Sequence, residues 1–277
     1  MKRIMTIQDI SCVGKCSLTV ALPIISAAGV EAGILPTAVL STHTMFSEFT
    51  FCDLTDEIEP ISDAWQRLGI DFDAIYTGYL GSFRQLQLVE DFIDRFGKDA
   101  DVIIDPVMAD NGQLYRGFTP EFAASMAKLC AKADLIIPNI TEASFMLDIP
   151  YNPDYDEEYI RDVLKKLTSL GAKRAALTGI GFKKDEIGVY MYDSEKDEYF
   201  FYANERLDAS FHGTGDTYAS AVVGARMRGF SYEESLRIAV DFTLDCMKKT
   251  LADPNHRFYG VNFEESLPYY MELLGIK

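Results

Sequence analysis

Short apolar runs alternate along this chain with helical patterns, and that alternation constrains the fold more than any other feature. Arg3 to Gln8, Ile34 to Ser41, Ala74 to Thr77, Asp101 to Asp105, Leu135 to Pro138 and Arg174 to Thr178 read as strands. Cys16 to Ala28, Ile61 to Leu68, Ser82 to Phe96, Phe122 to Cys130 and Tyr159 to Leu170 read as helices, with Ser82 as a cap and Gly29 and Gly69 as stops. Such a sequence predicts an α/β fold, a single three-layer α/β/α domain over residues 1–277 with a mostly parallel central sheet. Ile187 to Tyr192 and Tyr199 to Tyr202 alternate around Asp193 to Asp197 and predict a hairpin, while Glu48 to Leu54 predicts a small flap. Tyr232 to Leu251 and Phe263 to Leu274 close the chain as helices, the first with a core-facing stripe at Leu236, Ala239, Val240, Thr243, Leu244 and Met247. No internal repeat, low-complexity tract or long linker divides it.

In sheets of this kind ligands bind beyond the C-terminal strand ends, where Asp9, Thr44, Tyr79, Asp105 and Asn139 all fall. The stretch with the most chemistry is Phe211-His212-Gly213-Thr214-Gly215-Asp216-Thr217, which runs into a helix of small residues from Tyr218 to Ala225. Gly213 and Gly215 let backbone amides approach an anion at a helix N-terminus. Asp216, in the first turn, is either a complement to the helix dipole or the base of a phosphoryl transfer, and the stretch alone leaves both open.

The formal charge of −17 repels nucleic acid and anionic lipid, so an anionic cosubstrate needs a local pocket of amides, cations or metal. With 48% hydrophobic residues over 277 positions the chain buries a substantial core. The five cysteines are an odd number and scattered, as in a reduced cytoplasmic protein, and no second Cys/His pair joins Cys12 and Cys16 at zinc spacing. No apolar run approaches the roughly 20 residues of a membrane span, and the N-terminus lacks a signal core. These features predict a cytoplasmic protein that binds neither nucleic acid nor membrane.

Two phosphate motifs fail on inspection. Gly14-Lys15 suggests a Walker A loop, but Asp9 stands at its leading glycine and Cys16 at its magnesium hydroxyl, so Lys15 reads as a solvated or loop-pairing charge. Gly179-Ile180-Gly181 has Lys184 where a dinucleotide fingerprint needs its third glycine. Asn139-Ile140-Thr141-Glu142 is a capping box in its simplest reading, Asn139 the cap and Glu142 its reciprocal partner. His43, taken alone, reads first as a structural histidine.

A kinase without a Walker A needs a base, a cradle for the migrating phosphate, and carboxylates that hold magnesium directly or through water. Asp216, Gly213 to Gly215, and the pair Asp105 and Glu142 match those needs in turn. Gly213-Thr214-Gly215-Asp216 resembles the anion hole and base of the ribokinase-like kinases. Asp105-Pro106-Val107-Met108 and Asn139-Ile140-Thr141-Glu142 resemble motifs of the vitamin-kinase branch. Ser41-Thr42-His43-Thr44 and Gly78-Tyr79-Leu80-Gly81-Ser82 are similar to stretches of the pyridoxal kinases. The resemblance spans nearly the whole chain in order.

What it implies is transfer of the ATP γ-phosphate to the 5′-hydroxyl of a vitamin B6 compound. Asp216 would be the base, with Gly213, Thr214 and Gly215 around the moving phosphoryl group. Asp105 and Glu142 would act through Mg2+ and its waters, and Asn139, Glu142 and Thr178 along the nucleotide. Asp9, His43, Thr44, Tyr79 and Val107 would line the pyridine pocket. The resemblance also implies a homodimer and, in many members, a monovalent cation such as K+. Two positions depart from the pattern: Asp9 stands where many pyridoxal kinases have serine, and Ala109 replaces the glycine after Met108. A hydroxymethylpyrimidine kinase shares the catalytic parts, and a non-catalytic vitamin-binding protein is the alternative of another class.

Overall fold

A strand covered on both faces has no wet side, and Ala74-Ile75-Tyr76-Thr77 is buried at every position. The computed structural model describes residues 1–276. In chain order it has β1 (Arg3–Ser11), α1 (Leu18–Ala27), β2 (Glu31–Leu40), β3 (Phe51–Asp53), α2 (Thr55–Leu68), β4 (Ala74–Thr77), α3 (Phe83–Phe96) and β5 (Asp101–Ile104). There follow β6 (Ala109–Asp110), β7 (Gln113–Leu114), α4 (Pro120–Cys130), β8 (Leu135–Ile136), α5 (Ile140–Leu147), α6 (Glu157–Ser169) and β9 (Arg174–Ile180). Then come β10 (Glu186–Asp193), β11 (Glu198–Glu205), α7 (Thr214–Met227), α8 (Tyr232–Ala252) and α9 (Phe263–Leu273).

The main sheet has nine strands in the order β11-β10-β9-β8-β5-β4-β1-β2-β3. β1 with β2, β5 with β8 and β8 with β9 are parallel. β3 pairs antiparallel with β2, and β10 pairs antiparallel with both β9 and β11. The fold is therefore the mixed α/β class with a large, mostly parallel sheet, and the β10–β11 hairpin forms as expected. The chain divides into two compact units, Met1–Tyr76 with Leu207 onward, and Thr77–Arg206. The division falls inside β4 rather than at a linker, which is why composition gives no sign of it.

In the first unit α7 is packed by virtue of its small residues: from Thr217 through Ala225 every one is buried. A Cβ on Gly224 would stand 2.4 Å from the Tyr270 hydroxyl and 3.0 Å from Ala28 Cβ. That hydroxyl donates to the Ala221 carbonyl at 2.8 Å and is buried with its ring. In the second unit Ser82, Thr119, Asn139 and Asp156 each cap a helix through a side-chain oxygen.

Three elements differ from expectation. α2 begins at Thr55, ahead of Ile61, because its first turn carries exposed Asp56 and Glu57, which show no apolar period. Part of the expected flap is an edge strand, Cys52 pairing with Val39 and Phe51 with Leu40. The β6–β7 hairpin turns on Asn111 and Gly112, both at positive φ (51° and 76°), the Asn-Gly signature of a tight hairpin.

The close fit around Gly224 sets a test of the first unit. Gly224→Val is expected to lose about 1–3 kcal/mol through overpacking; an unchanged urea midpoint would show that α7 has slack.

Candidate active site

Each unit carries one set of the residues singled out above. In the first, α7 opens at Gly213, whose φ of 72° is left-handed and whose Cβ would lie 1.9 Å from the Lys15 carbonyl oxygen. Only glycine lets the two loops approach so closely. Thr214 Oγ1 donates to the Phe211 carbonyl at 3.2 Å and Thr217 Oγ1 to the Gly213 carbonyl at 2.8 Å, which ties down both sides of the turn. Nothing lies within 4 Å of a Cβ built on Gly215. A rigid helix N-terminus beside open space, with first-turn amides that have no helical partner, suits an anion.

Asp216 is half-buried. Burial pushes its carboxyl up to about 7, against an amide hydrogen bond from Ser17 and with a smaller push from the charge of Asp9. A carboxyl that keeps some exposure and titrates near neutral pH has the properties a general base needs. Asp9 belongs to β1 rather than to the loop after it, since the strand continues to Ser11. The β1–β2 register shifts between Gln8 and Ile10, with the extra residue on β2 between Pro36 and Val39. Asp9 is buried, accepts from Ser17 Oγ at 2.6 Å and Ser11 Oγ at 3.3 Å, and burial raises its carboxyl despite both hydroxyls.

His43 lies half-buried, edge-on to His212 with ring centroids 5.5 Å apart. Its Nδ1 accepts the Met45 amide at 3.0 Å, which leaves the proton on Nε2 as a donor. Burial first, then His212, holds its pKa below the ordinary histidine value. Thr44 is exposed on the following loop. Lys15 is loop-pairing, as its failed motif implied: its ammonium donates to Glu264 at 2.8 Å and Asn262 at 3.2 Å and lies 5.6 Å from the Phe263 ring centroid.

In the second unit the capping box exists in full. Asn139 Oδ1 accepts from the Thr141 and Glu142 amides, and Glu142 Oε2 accepts from the Asn139 amide at 2.9 Å. Glu142 reaches further than a cap, because its Oε1 accepts from the Met108 amide at 3.1 Å. The buried carboxylate thus orders the segment after Asp105 as well as its own helix. Burial drives its pKa upward, against the amides of Asn139, Met108 and Ala109. Asn139 Nδ2 donates to the Ala109 carbonyl at 2.8 Å, and the Gly112 amide to Thr141 Oγ1 at 3.0 Å, so the β6–β7 hairpin rests on the start of α5.

Asp105 is buried at the end of β5, and its charge and that of Glu142 both add to the upward shift that burial imposes on the Cys130 thiol. Thr178 bridges to Asn139 across the strand ends. Val107 and Tyr79 are half-buried, Tyr79 with its ring centroid 5.6 Å from that of Phe118. Among the described residues no group of three or more His, Cys, Asp or Glu side chains could hold a metal. Magnesium keeps several waters and needs one or two carboxylates beside substrate phosphates. Each Glu142 oxygen has lone pairs beyond its amide bond, so Asp105 as ligand with Glu142 acting through water fits that ion.

Sequence reasoning missed Ser11 and Ser17 as partners of Asp9, and missed the hairpin at Asn111-Gly112. The hairpin had a signal in its dipeptide; the serines had none.

The fold, with its glycine-opened helix and first-turn aspartate, defines a ribokinase-like kinase. The family model for phosphomethylpyrimidine kinase matches residues 25–261, and the chain belongs to that family. It is 30% identical over 198 residues to the pyridoxine kinase of Bacillus subtilis, covering 69% of each chain. Among solved structures it resembles the pyridoxal kinase of Lactobacillus plantarum, with TM-score 0.91, 30% identity and coverage of 99% of this chain and 98% of that one. It also resembles a Bacteroides thetaiotaomicron protein, provisionally assigned as a phosphomethylpyrimidine kinase and solved in a crystal form with pyridoxal. There the TM-score is 0.91, the identity 39%, and the coverage 97% of this chain and 95% of that one.

The raised pKa of Asp216 has a consequence for stability. Between about pH 4 and about 7 the folded chain holds a proton there that the unfolded chain releases, so this group makes stability fall as pH rises through that window. Asp216→Asn is therefore expected to melt above the unsubstituted protein at pH 8, with the gap closing toward pH 4. Equal melting temperatures at pH 8 would contradict the assignment.

Proposed function

We propose that the protein is an ATP-dependent kinase of vitamin B6 compounds, transferring the γ-phosphate to the 5′-hydroxyl of pyridoxal, pyridoxine or pyridoxamine. The observation that carries this reading is Asp216: a half-buried carboxyl with its pKa pushed up to about 7, in the first turn of a helix whose opening amides suit an anion. The likeness to a protein solved with pyridoxal and to pyridoxine and pyridoxal kinases supplies the acceptor.

In this reading Asp216 takes the hydroxyl proton, while the amides from Gly213 to Gly215 stabilise charge on the moving group. Asp9, His43, Thr44, Tyr79 and Val107 recognise the ring, with His43 Nε2–H a donor for the hydroxyl oxygen that the ring carries. Asn139 and Thr178 lie along the nucleotide phosphates. Asp105, and Glu142 through water, would hold Mg2+, which would supply neutralisation of phosphate charge. A homodimer in the cytoplasm, with K+ as an accessory ion, completes the proposal; no helix among the described residues is long and apolar enough to cross a membrane.

The second reading, phosphorylation of hydroxymethylpyrimidine, is favoured by the family match and by relatives in thiamine biosynthesis such as the Arabidopsis thaliana bifunctional enzyme, 24% identical. ATP consumption against the three B6 compounds and hydroxymethylpyrimidine decides between them. The B6 compounds are expected to give the higher kcat/KM; preference for the pyrimidine would overturn the assignment. Activity is expected to fall below about pH 7 as Asp216 protonates, and Asp216→Asn to lose roughly 10²–10⁴-fold. Undiminished turnover in that variant would remove Asp216 from the chemistry.

Asp105→Asn is expected to raise the Mg2+ concentration needed for half-maximal rate while the KM for the vitamer stays near its original value. An unchanged Mg2+ dependence would place the ion elsewhere.

A further inference from the structure

One residue in the loop between β1 and α1 touches two carboxylates. Ser17 has φ 50° and ψ −133°, a region that L side chains seldom occupy and that persists only where the surroundings over-determine it. It also occupies the N-cap of α1, where serine ordinarily accepts from the helix's own amides, yet it makes no side-chain cap hydrogen bond. Its hydroxyl is turned instead to Asp9, donating to Oδ1 at 2.6 Å. Its backbone amide approaches the carboxyl of Asp216 and holds that group's pKa down against the push of burial.

The loop around Ser17 has little room to drift. A Cβ on Gly213 would lie 1.9 Å from the Lys15 carbonyl oxygen, and one on Gly260 would lie 2.3 Å from Lys15 Cβ. The Lys15 ammonium is tied to Glu264 and Asn262. The strained conformation is therefore held from outside, by loops that meet it from the far end of the chain.

We propose, on the reading that Asp216 is the base, that Ser17 is a positioning residue of the phosphoryl transfer: its hydroxyl aims Asp9 and its amide aims Asp216, coupling acceptor recognition to deprotonation. The titratable groups that face Asp216 are Asp9 from β1 and Cys16 from the same loop. Burial, and then Asp216 itself, pushes the Cys16 thiol far up, so it stays neutral and Asp9 is the partner that matters.

Ser17→Ala, Ser17→Gly and Ser17→Thr separate the two contacts. Alanine and glycine keep the amide and lose the hydroxyl. Both are expected to raise the KM for the vitamer roughly 10- to 100-fold, the range for one hydrogen bond to a charged group, while the KM for ATP does not follow. Without the hydroxyl the Asp9 carboxyl shifts further up, which eases its opposition to ionisation of Asp216, so the acid limb of the rate profile is expected to move to lower pH. Threonine keeps the hydroxyl, but its branched Cβ is ill suited to a positive φ and draws the amide off Asp216. Its limb is expected to move to higher pH, with kcat falling more than the KM rises.

Thermal melts establish that each variant is folded, and if threonine is not, alanine and glycine decide alone. An unmoved pH limb, or a rise in both KM values by one common factor, would reduce Ser17 to a structural residue. A wild-type protein that consumes no ATP with any vitamer or with hydroxymethylpyrimidine would instead defeat the base assignment itself, so the two failures are distinguishable.

Discussion

The first unit depends on a side chain that is missing. Gly213 sits where any Cβ would meet the carbonyl oxygen of Lys15 at 1.9 Å, so the turn that starts α7 presses directly against the loop that follows β1. With φ at 72° it also occupies the conformation that glycine adopts without strain. Because that contact holds, Asp216 stands within reach of the Ser17 amide, and Ser17 within reach of Asp9. The small residues of α7 and the buried Tyr270 hydroxyl on Ala221 then fix the body of the helix behind its opening turn.

The second unit is ordered by a buried carboxylate rather than by a gap. Glu142 is placed where desolvation disfavours its charge, and the amides of Asn139, Met108 and Ala109 counter that cost. Those donors come from two places in the chain, the start of α5 and the segment that follows Asp105. One side chain thereby fixes the mutual placement of the Asp105 segment and the Asn139 cap. The capping-box reading and the functional reading of Glu142 are compatible, since each carboxylate oxygen can accept more than one hydrogen bond.

Elements with a buried stripe or a capped start were legible from residues alone. β4 lies where its continuous apolar run puts it, and α3, α5 and the β10–β11 hairpin lie where pattern and caps put them. The first turn of α2 left no trace, since its exposed acidic residues need satisfy no core. The Asn111-Gly112 turn did leave a trace in its dipeptide, although its strands are too short for an alternating pattern. The division of the chain inside β4 has no compositional mark at all, because a strand buried on both faces reads the same on either side of the break.

What sequence by itself determined was the α/β class, the glycine-flanked aspartate, the failed Walker loop and the identity of the carboxylates, because local propensity, turn chemistry and residue type act over a few neighbours. Tertiary structure decided the electrostatic setting of those carboxylates. Burial lifts Asp216, two serine hydroxyls bind Asp9, and Lys15 turns to Glu264, a partner 249 positions away. Desolvation and hydrogen bonding depend on which distant groups arrive at the same place, and only the folded chain brings them there.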